Sequence, residues 1–265
     1  MDPKNPGAVD EIIHLGDYWD VEKMEENKEK ILKTNAEVGK LFKRAYKYLR
    51  AARPILEDII EKNSEAMDFG KVNLETENLA NEIFKDKPVS KKEGKDRHLF
   101  GSAYTPNGWI EHTDTLLSDL NKIYYIKGDF GAGKTTLLEK IYMDAIKRGL
   151  NVEVYHTPLI PEKIETVVIE EIGVGLTISK MFKDNNYKTV NLDKYIDKKV
   201  LEKYENDINE DKEIFEELIN LAISNLSRAK KTHDLLEEYF IPNMNFGEIE
   251  KLKDRIIKRI LKYEK

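Results

Sequence analysis

Gly128-Asp129-Phe130-Gly131-Ala132-Gly133-Lys134-Thr135-Thr136 is the stretch on which the reading of this chain turns. It satisfies G-x-x-x-x-G-K-[ST] at every fixed position, the pattern called a P-loop. Before it, Lys122-Ile123-Tyr124-Tyr125-Ile126-Lys127 is a short apolar run of strand type; after it, Thr135 to about Arg148 carries apolar residues at helical spacing and closes on Gly149. A triphosphate is bulky and anionic, so its site needs many converging N–H donors and a backbone clear of side chains. Glycines give that clearance, and the start of the following helix adds partial positive charge. Gly128, Asp129, Phe130, Gly131, Ala132 and Gly133 are therefore expected to wrap the phosphates, with Thr136 helping at the α-phosphate. Lys134 is expected to reach the β- and γ-phosphates, as a catalytic as well as a binding residue, and Thr135 to ligate Mg²⁺. ATP or GTP, with Mg²⁺, is the implied cofactor.

Further strands are read at 151–156 and 165–170, with a third at 174–178, which predicts an α/β fold: a P-loop NTPase domain of three α/β/α layers. Thr166-Val167-Val168-Ile169-Glu170-Glu171 is the apolar run after the loop helix that ends in acids. Glu170 is expected to be the metal-shell carboxylate and Glu171 the candidate base that polarises an attacking water. The plain alternative is that both acids begin a solvated turn. Arg228, in Arg228-Ala229-Lys230-Lys231, is the candidate cation for charge developing on a transferred phosphoryl group, against the reading as a surface charge. His156 ends the strand after the loop helix and reads most simply as a packed or solvent-facing side chain.

Outside this region the chain reads as helix. Met24, Ile31, Val38, Leu41, Ala45, Leu49 and Ala52 keep to one face from Val21 to about Lys62, with Asp20 as N-cap. Pro54 is expected to kink that helix or to start a second one. A turn at Met67–Gly70 leads to a shorter helix, and the charged stretch 86–97 reads as a linker. Long helix returns from Asp197 to Phe240, Pro242 interrupts it, and a basic helix follows from about Glu248 to Tyr263. Sliding the sequence along itself without a gap lays Leu15, Tyr18, Asp20, Ile31, Leu41 and Ala45 on identical residues from Leu192 onward. The same register places Met67-Asp68-Phe69-Gly70 on Met244-Asn245-Phe246-Gly247. A shared register through a non-helical turn argues for an internal repeat. The expected organisation is a helical segment at 1–85, the linker at 86–97, the P-loop domain at 98–190 and the second helical copy at 191–265, so that helical-hairpin repeats flank the α/β domain.

Asp2-Pro3-Lys4-Asn5-Pro6-Gly7 through Gly16-Asp17-Tyr18-Trp19-Asp20 resembles the segment after the first P-loop unit of an uncharacterised family of bacterial tandem P-loop proteins, titled ATPase or nucleotide kinase-like. His98-Leu99-Phe100-Gly101, Thr105-Pro106, the P-loop and Val152-Glu153-Val154-Tyr155-His156 resemble its second unit. The resemblance implies that this chain carries the end of one repeat and the whole of the next. Thr177-Ile178-Ser179 departs from it, because an aspartate is expected there.

Composition limits the classes. The 265 residues include no cysteine, which excludes thiol catalysis, disulfides and Cys-bound zinc, and the five histidines show no paired ligand spacing. A formal net charge of -6 makes a nucleic-acid partner unexpected, and no apolar stretch is long enough for a membrane span, so a cytoplasmic protein is expected. Three functions stay open: a slow Mg-dependent ATPase or ATP-driven switch, a kinase acting on a nucleotide or another small molecule, and a nucleotide-binding assembly module without chemistry. The expected partners are the nucleoside triphosphate and either a second copy of the chain or another P-loop domain.

Overall fold

Asp20 opens the first helix by accepting the Lys23 amide at 3.3 Å, the capping role expected of it. The structure, a computed structural model, describes residues 4–183 and 187–263, so residues 1–3, 184–186 and 264–265 lie outside the described residues. Along the chain come helices α1 (Val21–Glu26), α2 (Lys28–Glu65) and α3 (Phe69–Ile83), then β1 (Asp96–Leu99), β2 (Ser102–Thr105) and β3 (Gly108–Glu111). The short α4 (Thr113–Leu117) leads to β4 (Lys122–Lys127), α5 (Lys134–Lys147), β5 (Val152–His156), β6 (Ile164–Ile169), β7 (Val174–Thr177) and β8 (Lys188–Asn191). α6 (Lys198–Leu201), α7 (Glu205–Phe240) and α8 (Phe246–Ile260) complete it. Pro54 does not divide α2, which runs through it; the break falls earlier, at Asn27. Proline removes one ladder bond, and burial of Ala52, Leu56 and Ile59 around it holds the helix together.

Two compact units emerge, Arg44–Ser227 and the pair of segments Met1–Lys43 with Arg228–Lys265. In the first, six strands form one sheet in the order β1-β5-β6-β7-β4-β8. β4 is parallel to β7 and β8, β1 is parallel to β5, and β6 alone runs antiparallel to both its neighbours. Alternation along β4 sends Tyr124 and Ile126 to one face and Tyr125 to the other. The first face meets Leu137, Leu138 and Ile141 of α5 and Val72 and Leu79 of α3; the second is covered more thinly, by Leu117 of α4 and by Phe182. Every residue of β6 is buried, the polar Glu165 and Thr166 included, and Val167–Ile169 supply its apolar run. β2 and β3 form a separate two-stranded hairpin.

The stretch read as a linker is pinned instead. Ser90 and Gly94 donate backbone N–H groups to Lys147 and Ile146 at the end of α5, and Asp96 and Arg97 open edge strand β1 beside Val152 and Glu153. An edge strand with three exposed residues tolerates charge, so composition alone resembled a tether.

The internal repeat appears in bond-by-bond detail. In the larger unit, Asp68 N–H donates to Tyr195 O at 3.0 Å and Asp197 N–H to Ala66 O at 2.7 Å, around the bridge between Met67 and Ile196. In the other unit, Asn245 N–H donates to Tyr18 O at 2.9 Å and Asp20 N–H to Asn243 O at 2.8 Å, around the bridge between Trp19 and Met244. These are corresponding residues with the copies exchanged: the segment leading into the helices of each copy closes the turn of the other. Asp68 and Asn245 cap α3 and α8 in the same way, each accepting an N–H three residues ahead. α3 buries Val72, Thr76, Leu79 and Ala80, whereas α8 buries none of its residues.

Candidate functional site

The chain leaves β4 at Lys127 and re-enters regular structure as α5 at Lys134, which leaves Gly128–Gly133 to make the turn. Gly131 (φ 83°) and Gly133 (φ 88°) have the left-handed backbone that such a turn needs, and Gly133 is the N-cap of α5. The Ala132 amide donates to Asp129 O at 3.2 Å and the Asp129 amide to Asp193 Oδ1 at 2.9 Å. Lys134 Nζ folds back over the loop, donating to Gly128 O and, at 2.9 Å, to Asp129 O. Desolvation pushes its ammonium down to about 8, against the pull of Asp129 and Asp193, and the charges of Lys180 and Lys163 push the same way.

Helices outside the sheet hold the loop. Asn63 Nδ2 of α2 donates to Phe130 O at 2.8 Å and Ser64 Oγ to Gly131 O at 3.2 Å. A Cβ on Gly131 would sit 2.5 Å from Ile60 O, and one on Gly133 would touch Phe69 and Val72 of α3 at 3.3 Å. From α7, Lys212 reaches Asp129 at 3.4 Å and the Phe215 ring lies 6.5 Å from that of Phe130. None of these supports follows from the motif; the Met-x-Phe-Gly turn of the repeat was the one sequence signal near them.

A cavity of about 660 Å³ opens from the loop and is lined by Gly128 through Thr136, so the sequence-read binding residues are gathered in one place. It is also lined by Tyr104, Trp109 and Glu111 of the hairpin, the Thr157–Ile160 loop, Lys163, Glu165 and Lys180. Glu165 is buried, and its Oε2 accepts the Ser102 hydroxyl at 2.6 Å. Burial raises its pKa, as does the negative charge of Glu111, while Ser102 opposes them. Glu111 Oε2 accepts Ser179 Oγ at 2.8 Å and Thr113 Oγ1 at 3.3 Å. Burial pushes the Tyr104 phenol up to about 12, and the Glu165 charge adds to it.

Glu170 and Glu171 are not part of this arrangement. Because β6 is antiparallel to β7 and β7 is parallel to β4, the end of β6 lies at the start of β4: Ile169 pairs with Val174, and Val174 with Lys122. Both acids line a different depression, where Glu171 Oε1 accepts from the Asn151 backbone and side chain at 2.9 Å. The metal-shell and base roles are therefore withdrawn for them. Thr177 ends the strand beside β4, and its buried hydroxyl meets that of Thr166 at 2.8 Å. Arg228 belongs to the other compact unit, exposed on α7, and does not line the cavity. His156 ends β5, and its Nε2 lies 2.7 Å from Nδ1 of His98 on the edge strand β1. Burial lowers its pKa, and His98 adds to that. His233, Asp234 and Glu237 form an exposed cluster on α7 with metal-ligand potential, although Asp234 is paired with Lys230 and His233 with Glu237.

Compared with protein-family models, curated proteins and solved structures, the chain matches none. Among the described residues no helix is long and apolar enough to cross a membrane.

Proposed function

We propose that the chain binds a Mg-bound purine nucleoside triphosphate, ATP first, on Gly128–Thr136 and acts on its γ-phosphate as a slow ATPase or ATP-driven switch of P-loop type. The observation that carries this reading is the desolvated Lys134 ammonium at the start of α5, folded over a loop with two left-handed glycines at the mouth of a cavity. Such a cation gains most when a polyanion displaces its carbonyl partners. The donors nearby suit Mg²⁺ by their chemistry: the Thr135 hydroxyl and the Asp129 carboxylate are hard oxygens lining one cavity. Bound there, the metal would neutralise phosphate charge. The bonds from Asn63 and Ser64 and the Lys212–Asp129 pair favour a switch, because a change in loop conformation must be felt by α2 and α7. Lys134→Ala should weaken Mg-ATP binding by about 2–4 kcal/mol. Calorimetry showing equal affinity for both proteins would sink the assignment. Phosphate release measured on the same preparation separates the ATPase reading from a module that only binds.

A second reading, transfer to an acceptor, is favoured by the extent of the cavity beyond the loop.

A further inference from the structure

We propose that the hairpin side of the cavity is an acceptor site, where the Glu111 carboxylate takes the proton of a hydroxyl group on a neutral, polyhydroxylated ring as that oxygen attacks the γ-phosphorus. The inference rests on triphosphate binding at Gly128–Thr136. In the transfer, the acceptor O–H bond breaks and its proton passes to Glu111. A bond forms between that oxygen and the γ-phosphorus. The bond from the γ-phosphorus to its bridging oxygen breaks, and its electron pair leaves with the nucleoside diphosphate.

Three observations support this. First, Glu111 and Glu165 line the same cavity as Lys134 and Thr135 although they come from β3 and β6, which the motif does not foresee. Each is oriented through one oxygen: Ser179 and Thr113 bond Glu111 Oε2, and Ser102 bonds Glu165 Oε2, while among the described residues no hydrogen bond engages Oε1 of either acid. Side chains held through one oxygen keep the other for an incoming donor. Second, the charges fit a neutral acceptor. Two carboxylates repel an acceptor phosphate or carboxylate, no arginine among the described residues lines the cavity, and Lys163 and Lys180 lie close enough to Lys134 for their charges to act on it, at the phosphate end. Third, Tyr104 and Trp109 form an edge-on pair with ring centroids 5.0 Å apart on the cavity wall. Aromatic faces beside hydroxyl-accepting carboxylates suit a ring with apolar C–H faces and equatorial O–H groups. A free sugar and a nucleoside share that chemistry.

The test incubates the full chain with Mg-ATP and, separately, glucose, N-acetylglucosamine, adenosine or uridine. Phosphorylated product is read by mass spectrometry, and Mg-ATP affinity by calorimetry. The expected result is a phosphomonoester on one of these compounds, and the compound that reacts identifies the source of the ring. Glu111→Gln should cut the transfer by about 100-fold or more while leaving the Mg-ATP Kd within about twofold. Trp109→Ala should raise KM for the acceptor. If Glu111→Gln fails to fold, Glu111→Asp serves, with transfer lowered and binding kept. Mg-ATP binding with phosphate released to water alone, whichever compound is present, overturns the acceptor site and leaves the binding site standing. Absence of Mg-ATP binding overturns both.

Discussion

Lys134 shows how a single residue sets a testable pH dependence. With its pKa near 8 in the free protein, and raised once phosphates surround it, binding takes up a proton above about pH 8. Affinity for Mg-ATP should therefore be full below pH 8 and fall as pH rises through it, approaching tenfold per pH unit; a flat profile from pH 7 to 9.5 would contradict the role given to this ammonium. Glu165 gives the opposite sort of signature, in stability. Its pKa is raised by burial, so the folded state holds its proton more tightly than the unfolded state, and stability is lost as pH climbs from the ordinary carboxylate range through the folded value. Glu165→Gln does not titrate, so its denaturation midpoint should exceed that of the wild type by more at pH 7 than at pH 4.5. A constant difference would mean that Glu165 is not buried as charge. Residues of the first kind were legible because the motif is local: nine consecutive residues carry donors, lysine and threonine. Glu111 and Glu165 were not, because nothing short-range marks an acid as one that tertiary folding will place beside a distant loop.

Among the elements, β6 decides most. Its residues are all buried, and its length and type were readable from the apolar run Val167–Ile169. Its direction was not, since periodicity along a strand is the same read either way and only the pairing partners fix polarity. That single reversal removes Glu170 and Glu171 from the cavity beside the glycine-rich loop and brings Glu165, near the strand's beginning, to it. The link between loop and helices belongs to the same scale. Gly131→Ala would place a side chain at φ 83° and 2.5 Å from Ile60 O, so it should cost about 1–3 kcal/mol in stability and weaken Mg-ATP binding together. Asn63→Ala removes the bond to Phe130 O without touching the phosphates, and about 1 kcal/mol of stability is the expected loss. If Mg-ATP protects residues 60–72 from hydrogen exchange in the wild type and no less in Asn63→Ala, that side chain does not carry the nucleotide signal.

For the whole molecule, the repeat was legible in sequence because one register runs through the Met-x-Phe-Gly turn, and the helix ends follow it: α3 and α8 begin at corresponding phenylalanines and end at corresponding isoleucines. The exchange between copies was not legible, because identity shows which residues correspond and not which of them touch. It has a consequence for how the chain is made. A ribosome releases the first helices long before Tyr195, Ile196 and Asp197 exist, so the turn at Met67 waits unclosed while the sheet strands are still being synthesised. Trp19 waits longer still, until Met244 emerges. Nascent chains stalled after Asn191 should therefore leave residues 60–72 sensitive to protease, and the glycine-rich loop that leans on them unable to hold ATP. Protection arising before the last quarter of the chain has left the ribosome would show that these junctions close with some other partner first.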